Sequence, residues 1–341
     1  MEQKINPSSY GSDTHGLICG YLFKSGAQAQ EVDSATALQW LAAPQSHRQN
    51  AFLWLHFSLT HVQAEKWMLE NLSLPEHFFE TMREGTGSTR VEQEDDSLIA
   101  IINDVAFDFS FDANQISSVW MCVMQHCVVS ARKQPLRSVD RLRVAVKAGQ
   151  DFASPVSLLA HLLRDQADVL QKIERDSVSR VDDIEDDLLS GRMKVNRSAL
   201  GALRRLFVRL RRLLAPEPAS LFRLLNRPPA WFMSDDAREL REATEESSAV
   251  LNDLAVLQER TKLLQEEITA HTTEQTNRSV FVLTIVTVLA LPINIVAGLL
   301  GMNVGGIPLA SDNHGFLWVV AFIVFFTCIA VWFAFKRQKT K

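Results

Sequence analysis

Thr284, Thr287 and Asn294 are the hydrogen-bonding side chains in Val280 to Leu300, a stretch without a single charge. Their spacing puts them on one side of a helix. Stepping alternately by four and three residues from Glu266 passes through Ala270, Thr273, Asn277, Val280, Thr284, Thr287, Leu291, Asn294, Gly298 and Gly301. That path is one face of a straight or gently supercoiled helix. The remaining faces of the uncharged stretch are Phe, Leu, Ile, Val, Ala and one Pro. A polar stripe on such a helix must meet protein or water rather than lipid. In one arrangement its hydroxyls and amides join the helix to a neighbour. In the other, several copies related by cyclic symmetry surround an axial opening, and rings of hydroxyl and amide oxygens face water. With no Asp or Glu in the stretch, such rings suit a cation that keeps much of its water. Leu291 and Val280, on the same face, are candidate constrictions that gate by dewetting.

Other residues with chemical capacity form weaker patterns. Cys122 and His126 are metal-ligand types four residues apart in an apolar run. On a strand they share a face, either as a metal pair or simply as part of a buried strand. The cysteines (Cys19, Cys122, Cys127 and Cys328) include no Cys-x-x-Cys pair and read as reduced thiols. Gly85-Thr86-Gly87-Ser88 lacks the Lys-Ser/Thr of a phosphate-binding loop. No nucleophile–base arrangement stands out, so neither an enzyme nor a bound cofactor is expected. The net charge of -5 over 341 residues gives no reason to expect a nucleic-acid partner.

The stripe needs a membrane-spanning helix to carry it. Val280 to Leu300 has 21 residues, about 30 Å of helix and one hydrocarbon thickness. Phe316 to Phe335 is a second uncharged stretch, with Trp318 and Trp332 near its ends, where amphipathic rings settle at interfaces. Four of the last six residues are basic, Arg278 precedes the first span, and Gly301 to Gly315 has no Lys or Arg. The positive-inside tendency then predicts both termini in the cytoplasm. The polar N-terminus has no basic segment followed by an apolar run, so no signal peptide is expected.

Upstream, four runs predict strands in an α/β domain: Leu17 to Phe23, Ala51 to Phe57, Leu98 to Phe107 and Val119 to Ser130. Ala35 to Leu41 and Val62 to Asn71 predict helices, and Ser73-Leu74-Pro75 starts another. From Ser154-Pro155 the pattern is helical to Gly191, and a second helix covers Arg197 to Leu214. Folded as a hairpin around Met193, these bring Asp182, Asp183, Asp186 and Asp187 near Gly201 to Arg205. The acids then pair with the basic face or concentrate cations near a pore mouth. A third helix starts at Ser234-Asp235-Asp236, with a cap and first-turn acids. No Pro or Gly interrupts it before Leu291. Unbroken into the span it runs ~65 residues, about 100 Å, a stalk of the kind neighbouring copies stabilise.

The resulting layout is an α/β domain over 1–150, a helical hairpin region over 151–233 and a stalk helix over 234–300 whose span is about 280–300. A loop over 301–315, a second span over 316–335 and a basic tail over 336–341 follow. The loop begins Gly301-Met302-Asn303-Val304-Gly305-Gly306-Ile307-Pro308. Gly-Met-Asn between two terminal spans, after a long uninterrupted helix, resembles the CorA family of metal-ion transporters. The Val-Gly-Gly-Ile-Pro continuation looks like its zinc-transporting branch, ZntB; the magnesium branch usually has an aromatic and an acidic residue soon after the motif. Here no acid occurs until Asp312, with His314 close by. Histidine nitrogen suits zinc better than magnesium, although a lone loop histidine is ordinarily solvated.

The resemblance implies a homopentamer in the lipid of a bacterial inner membrane. It implies that Asn303, supported by Gly301 and Met302, forms an outer ring that meets the hydrated ion. Asn294, Leu291, Thr287, Thr284, Val280, Asn277, Thr273 and Glu266 then line the path inward, and Asp312 and His314 attract cations outside. The implied cargo is Zn2+, with Mg2+, Co2+, Ni2+ or Cd2+ as alternatives, and the branch implies proton coupling. The competing reading from another class is a membrane-anchored scaffold or sensor whose stalk merely oligomerises.

Overall fold

The computed structural model describes residues 12–44, 48, 50–85, 87–190, 197–302 and 314–338. The chain divides into two compact units, Met1–Gln265 and Glu266–Lys341. Elements in chain order are β1 (Leu17–Lys24), β2 (Ala27–Glu31), α1 (Ser34–Ala42), β3 (Ala51–Ser58), α2 (Ala64–Asn71), α3 (Glu76–Glu84), β4 (Arg90–Glu94) and β5 (Ser97–Val105). There follow β6 (Ile116–Met124), β7 (Cys127–Arg132), α4 (Arg137–Lys147), α5 (Pro155–Leu189), α6 (Arg197–Leu214), α7 (Pro216–Asn226), α8 (Asp236–Leu300) and α9 (Gly315–Gln338).

The strands form one sheet in the order β2-β1-β3-β7-β6-β5-β4. Neighbours are antiparallel except β3 and β7, which run parallel. Helices cover both faces, so the central strands are buried along nearly their whole length and read as continuous apolar runs rather than alternating ones. On one face Tyr21, Trp54, Leu98 and Met121 pack with Leu142 of α4, Leu159 of α5, Leu221 of α7 and Leu240 of α8. On the other, Leu55, Phe57, Ile101 and Trp120 pack with Ala37, Met68 and Phe78 from α1, α2 and α3.

The expected strand Val119 to Ser130 is two strands, β6 and β7, folded back at Gln125 and His126. The run contains no Gly or Pro to mark a turn, and only that polar pair interrupts it. The sheet also has two strands that the pattern reading leaves unassigned. β2 (AQAQE) and β4 (RVEQE) are polar because they are the two edges of the sheet, where burial is partial. Helices α4 and α7 fill two further unassigned segments. α4 buries Val139, Leu142 and Val146 at helical spacing.

Helix α5 starts where Ser154-Pro155 predicts. Ser154 Oγ accepts from the Ser157 amide at 2.9 Å, Ser157 Oγ lies 3.1 Å from the Ser154 amide, and Pro155 occupies the first turn. Ser154 also donates to Asp236 Oδ1, and Asp236 Oδ2 accepts from the Met233 amide at 2.7 Å. One cap therefore ties the start of α5 to the start of α8. Helix α8 is continuous over 65 residues with Pro292 inside it, matching the expected stalk. The hairpin turn around Met193, the N-terminal residues 1–11, and the last three residues of the basic tail lie outside the described residues.

Candidate functional site

The polar stripe lies on α8. An 18-residue window of this helix is apolar enough to cross a membrane, and none of it is buried. Leu283, Val286, Val288 and Ile295 are each more than half exposed. The stripe positions Thr273, Asn277, Val280, Thr284, Thr287, Leu291, Asn294, Gly298 and Gly301 are exposed as well, and so is Glu266. Neither set is covered by the described residues, which leave both an apolar face and a polar face open.

The threonines share one geometry. Thr273 Oγ1 donates to the Thr269 carbonyl at 2.9 Å, Thr284 Oγ1 to the Val280 carbonyl at 2.8 Å, and Thr287 Oγ1 to the Leu283 carbonyl at 2.9 Å. A hydroxyl has one proton and two lone pairs. Once the proton is held by the helix backbone, the oxygen has only acceptor capacity left to offer. Water bound to a divalent cation directs its hydrogens away from the metal. A ring of such oxygens therefore accepts from the hydration shell without competing for the ion.

At the C-terminal end of α8 the Gly301 amide donates to the Ala297 carbonyl at 2.9 Å. A Cβ at position 301 would sit 3.0 Å from that carbonyl oxygen, closer than ordinary contact. Glycine thus lets the last turn close before the chain leaves the helix. Met302 is exposed. Asn303 and Asp312 lie outside the described residues. His314 is exposed, and its carbonyl accepts from the Trp318 amide at 3.2 Å as α9 begins. Trp318 and Trp332 of α9 are both more than half exposed.

The expected shared face of Cys122 and His126 is not formed. Cys122 lies in β6, fully buried, where burial pushes its thiol up to about 12. His126 sits in the turn that splits the expected strand. Among the described residues no group of three or more His, Cys, Asp or Glu is placed to hold a metal ion. In the acidic cluster on α5, Asp182 and Glu185 both pair with Arg260 of α8, at 2.7 Å for Asp182. Arg204 of α6 instead donates to Gln265 at 2.7 Å. Asp182 therefore meets a basic residue, but one from the stalk helix rather than from the expected Gly201–Arg205 segment.

Two buried acids escaped the pattern reading. Glu217, in the first turn of α7, is 1% exposed and accepts from Gln166 Nε2 at 3.1 Å. Burial raises its carboxyl to about 7. Asp104 of β5 accepts from the amides of Val105 and Ser138, both at 2.7 Å, and burial raises it to about 6. A single acid after a proline reads as ordinary helix-start chemistry, so nothing in the sequence marks Glu217 as buried.

Residues 49–337 match the family model described as CorA-like Mg2+ transporter protein. That match spans most of the chain: this protein belongs to the CorA-like Mg2+ transporter family, whose members are ion transporters and not enzymes. It is 29% identical over 331 residues to the divalent cation transporter CmaX of Pseudomonas aeruginosa, covering 96% of this chain and 97% of that protein. It is 25% identical over 279 residues to the zinc transport protein ZntB of Yersinia enterocolitica, covering 82% and 85% respectively. The solved structure of full-length CmaX superposes with a TM-score of 0.78 at 27% identity, covering 96% of this chain and 99% of that one.

Proposed function

We propose that this chain is a pentameric divalent-cation transporter that takes up zinc, with the stripe of α8 lining the conduction path. One observation carries the reading. The polar side chains of an otherwise apolar, uncovered helix fall on one face, and their hydroxyl protons are turned back into the helix. That leaves acceptor oxygens for a hydrated cation. Five copies place Thr284, Thr287 and Asn294 in successive rings, with Leu291 and Val280 as the apolar constrictions between polar levels. Asn303 forms the outer ring, where amide oxygens bind the ion's waters without stripping them. Basic residues at Arg278 and after Phe335 support placing both termini in the cytoplasm, with α9 as the second span. Zinc is favoured by the likeness to ZntB proteins and by a loop with no acid before Asp312.

Flux into proteoliposomes tests this, comparing zinc with magnesium, cobalt and nickel, with and without a pH gradient. The expected outcome is zinc entry that exceeds magnesium entry and responds to the gradient. Asn303→Ala abolishes it while assembly persists. Magnesium-dependent flux with no zinc entry removes the zinc assignment. Unchanged flux in Asn303→Ala removes the outer ring.

A further inference from the structure

Helix α6 turns its apolar residues inward and its arginines outward. Leu203, Leu206, Phe207, Leu210 and Leu214 are buried, at the spacing of one helix face. Arg204, Arg205, Arg209 and Arg212 fall on the opposite side. At about 100° per residue they share roughly 140° of the circumference. These arginines line an open cleft of about 500 Å³, whose remaining walls are Gly201, Val208 and Gln265 of α8. A volume of that size is in the range of small-molecule sites.

No anion balances these charges among the described residues. The cleft lining holds no carboxylate. Arg204 donates to the neutral Gln265 at 2.7 Å. Arg205, Arg209 and Arg212 have no ion pair or side-chain hydrogen bond among the described residues, and Arg209 Nε is enclosed by protein without a partner. In the acidic cluster of α5, Asp182 and Glu185 are engaged by Arg260; Asp183 and Asp186 are exposed and do not line the cleft. Arg205 and Arg209 are four residues apart, and Arg209 and Arg212 three apart. Like charges at those spacings weaken a helix, and an enclosed donor without an acceptor is rarely retained. A bound anion relieves both.

The donors select the class of anion. A guanidinium is a planar fork that meets two oxygens of one phosphate at once. A metal cation is repelled by the same groups. Arg204 and Arg212 are eight residues apart on α6, about 12 Å of helix. One phosphate cannot reach both ends of such a row, whereas a chain of phosphates can. No aromatic ring is among the lining residues, so the cleft has no platform on which a nucleobase stacks. The net charge of -5 over the whole chain opposes a long nucleic-acid backbone beyond the cleft.

We infer that the α6 cleft binds a phosphate-chain anion, recognised through its phosphates alone, with Arg205, Arg209 and Arg212 as the pairing cations. An inorganic triphosphate and the triphosphate arm of a nucleotide present the same chemistry to it. The cleft lies in the Met1–Gln265 unit, apart from the α8 stripe, and does not depend on the transport reading.

Calorimetric titration of the full-length protein in detergent, with divalent cations removed, tests this using inorganic tripolyphosphate, ATP, orthophosphate and adenosine. Tripolyphosphate and ATP are expected to bind with Kd values within about threefold of each other, orthophosphate at least about tenfold more weakly, and adenosine not at all. Arg209→Gln, and independently the exposed Arg205→Gln, raise the tripolyphosphate Kd at least about tenfold, the loss of one charged hydrogen bond. Arg211→Gln removes a charge from the same helix outside the cleft lining and leaves Kd within about threefold of wild type. Absence of tripolyphosphate binding, a nucleotide preference beyond threefold, or orthophosphate binding as tight as tripolyphosphate overturns the inference. Equal losses in Arg205→Gln and Arg211→Gln reduce it to diffuse attraction and overturn it too. Short-chain phosphatidylglycerol that competes as well as tripolyphosphate assigns the arginines to lipid headgroups, with the same consequence.

Discussion

Glu217 makes the protein's stability depend on pH in a direction that can be worked out. Its folded value of about 7 lies above the ordinary glutamate value of 4.5, so the fold favours the neutral form. The stabilisation is fully present below about pH 4.5 and is lost as pH rises through 7. The full span is on the order of 3 kcal/mol. Glu217→Gln keeps an acceptor for Gln166 and removes the charge. We expect it to raise the thermal midpoint at pH 8, leave it nearly unchanged at pH 4.5, and flatten the slope between; parallel wild-type and mutant profiles would contradict this. At the stripe, Thr287→Val removes an acceptor oxygen at nearly constant volume, while Thr287→Ser retains it. Zinc flux should fall about tenfold or more in the first variant, as one lost hydrogen bond per ring position implies, and stay within about threefold of wild type in the second. Equal losses in both would assign the position to packing. The stripe was legible because period and polarity coincide on an uncharged background. Glu217, Asp104 and the buried His56 were not, because nothing local distinguishes a polar side chain that tertiary packing encloses from one that water solvates.

At the scale of elements, the junction of α5 and α8 rests on one small residue. Ser154 caps α5 and donates to Asp236 at the start of α8. Removing its hydroxyl leaves the Ser157 amide and a buried carboxylate oxygen each short of a partner. Ser154→Ala should therefore cost about 2 kcal/mol, the upper end for a capping residue, read as a lowered unfolding midpoint. A neutral result would mean that water replaces the cap. By contrast Arg260, with Asp182 and Glu185 partly exposed around it, should contribute under about 1 kcal/mol. The elements that sequence reads best are those whose signal is local. Helix α8 lacks any breaker before Pro292, and α5 starts at a Ser-Pro cap. The β6–β7 turn and the edge strands β2 and β4 are set by what lies beside them in the sheet. A polar five-residue segment becomes a strand only because an apolar neighbour offers its free edge.

For the whole molecule, the proposal requires several copies to convert an exposed polar stripe into a shared axis, because one helix encloses nothing. The apolar faces of α8 and α9 then meet lipid and neighbouring copies, and native mass measurement in detergent should return five chains. The family assignment stands without the copy number. The path itself can be probed by single cysteines on a Cys328→Ser background in the assembled, membrane-embedded protein, using a water-soluble thiol reagent. Cysteine at Asn294, Thr287 or Thr284 should be modified, with zinc slowing the reaction, while cysteine at Leu283, Val286 or Ile295 should stay protected by lipid or packing. Modification of the second group and protection of the first would place the Asn and Thr side chains away from water and contradict a conduction path along α8.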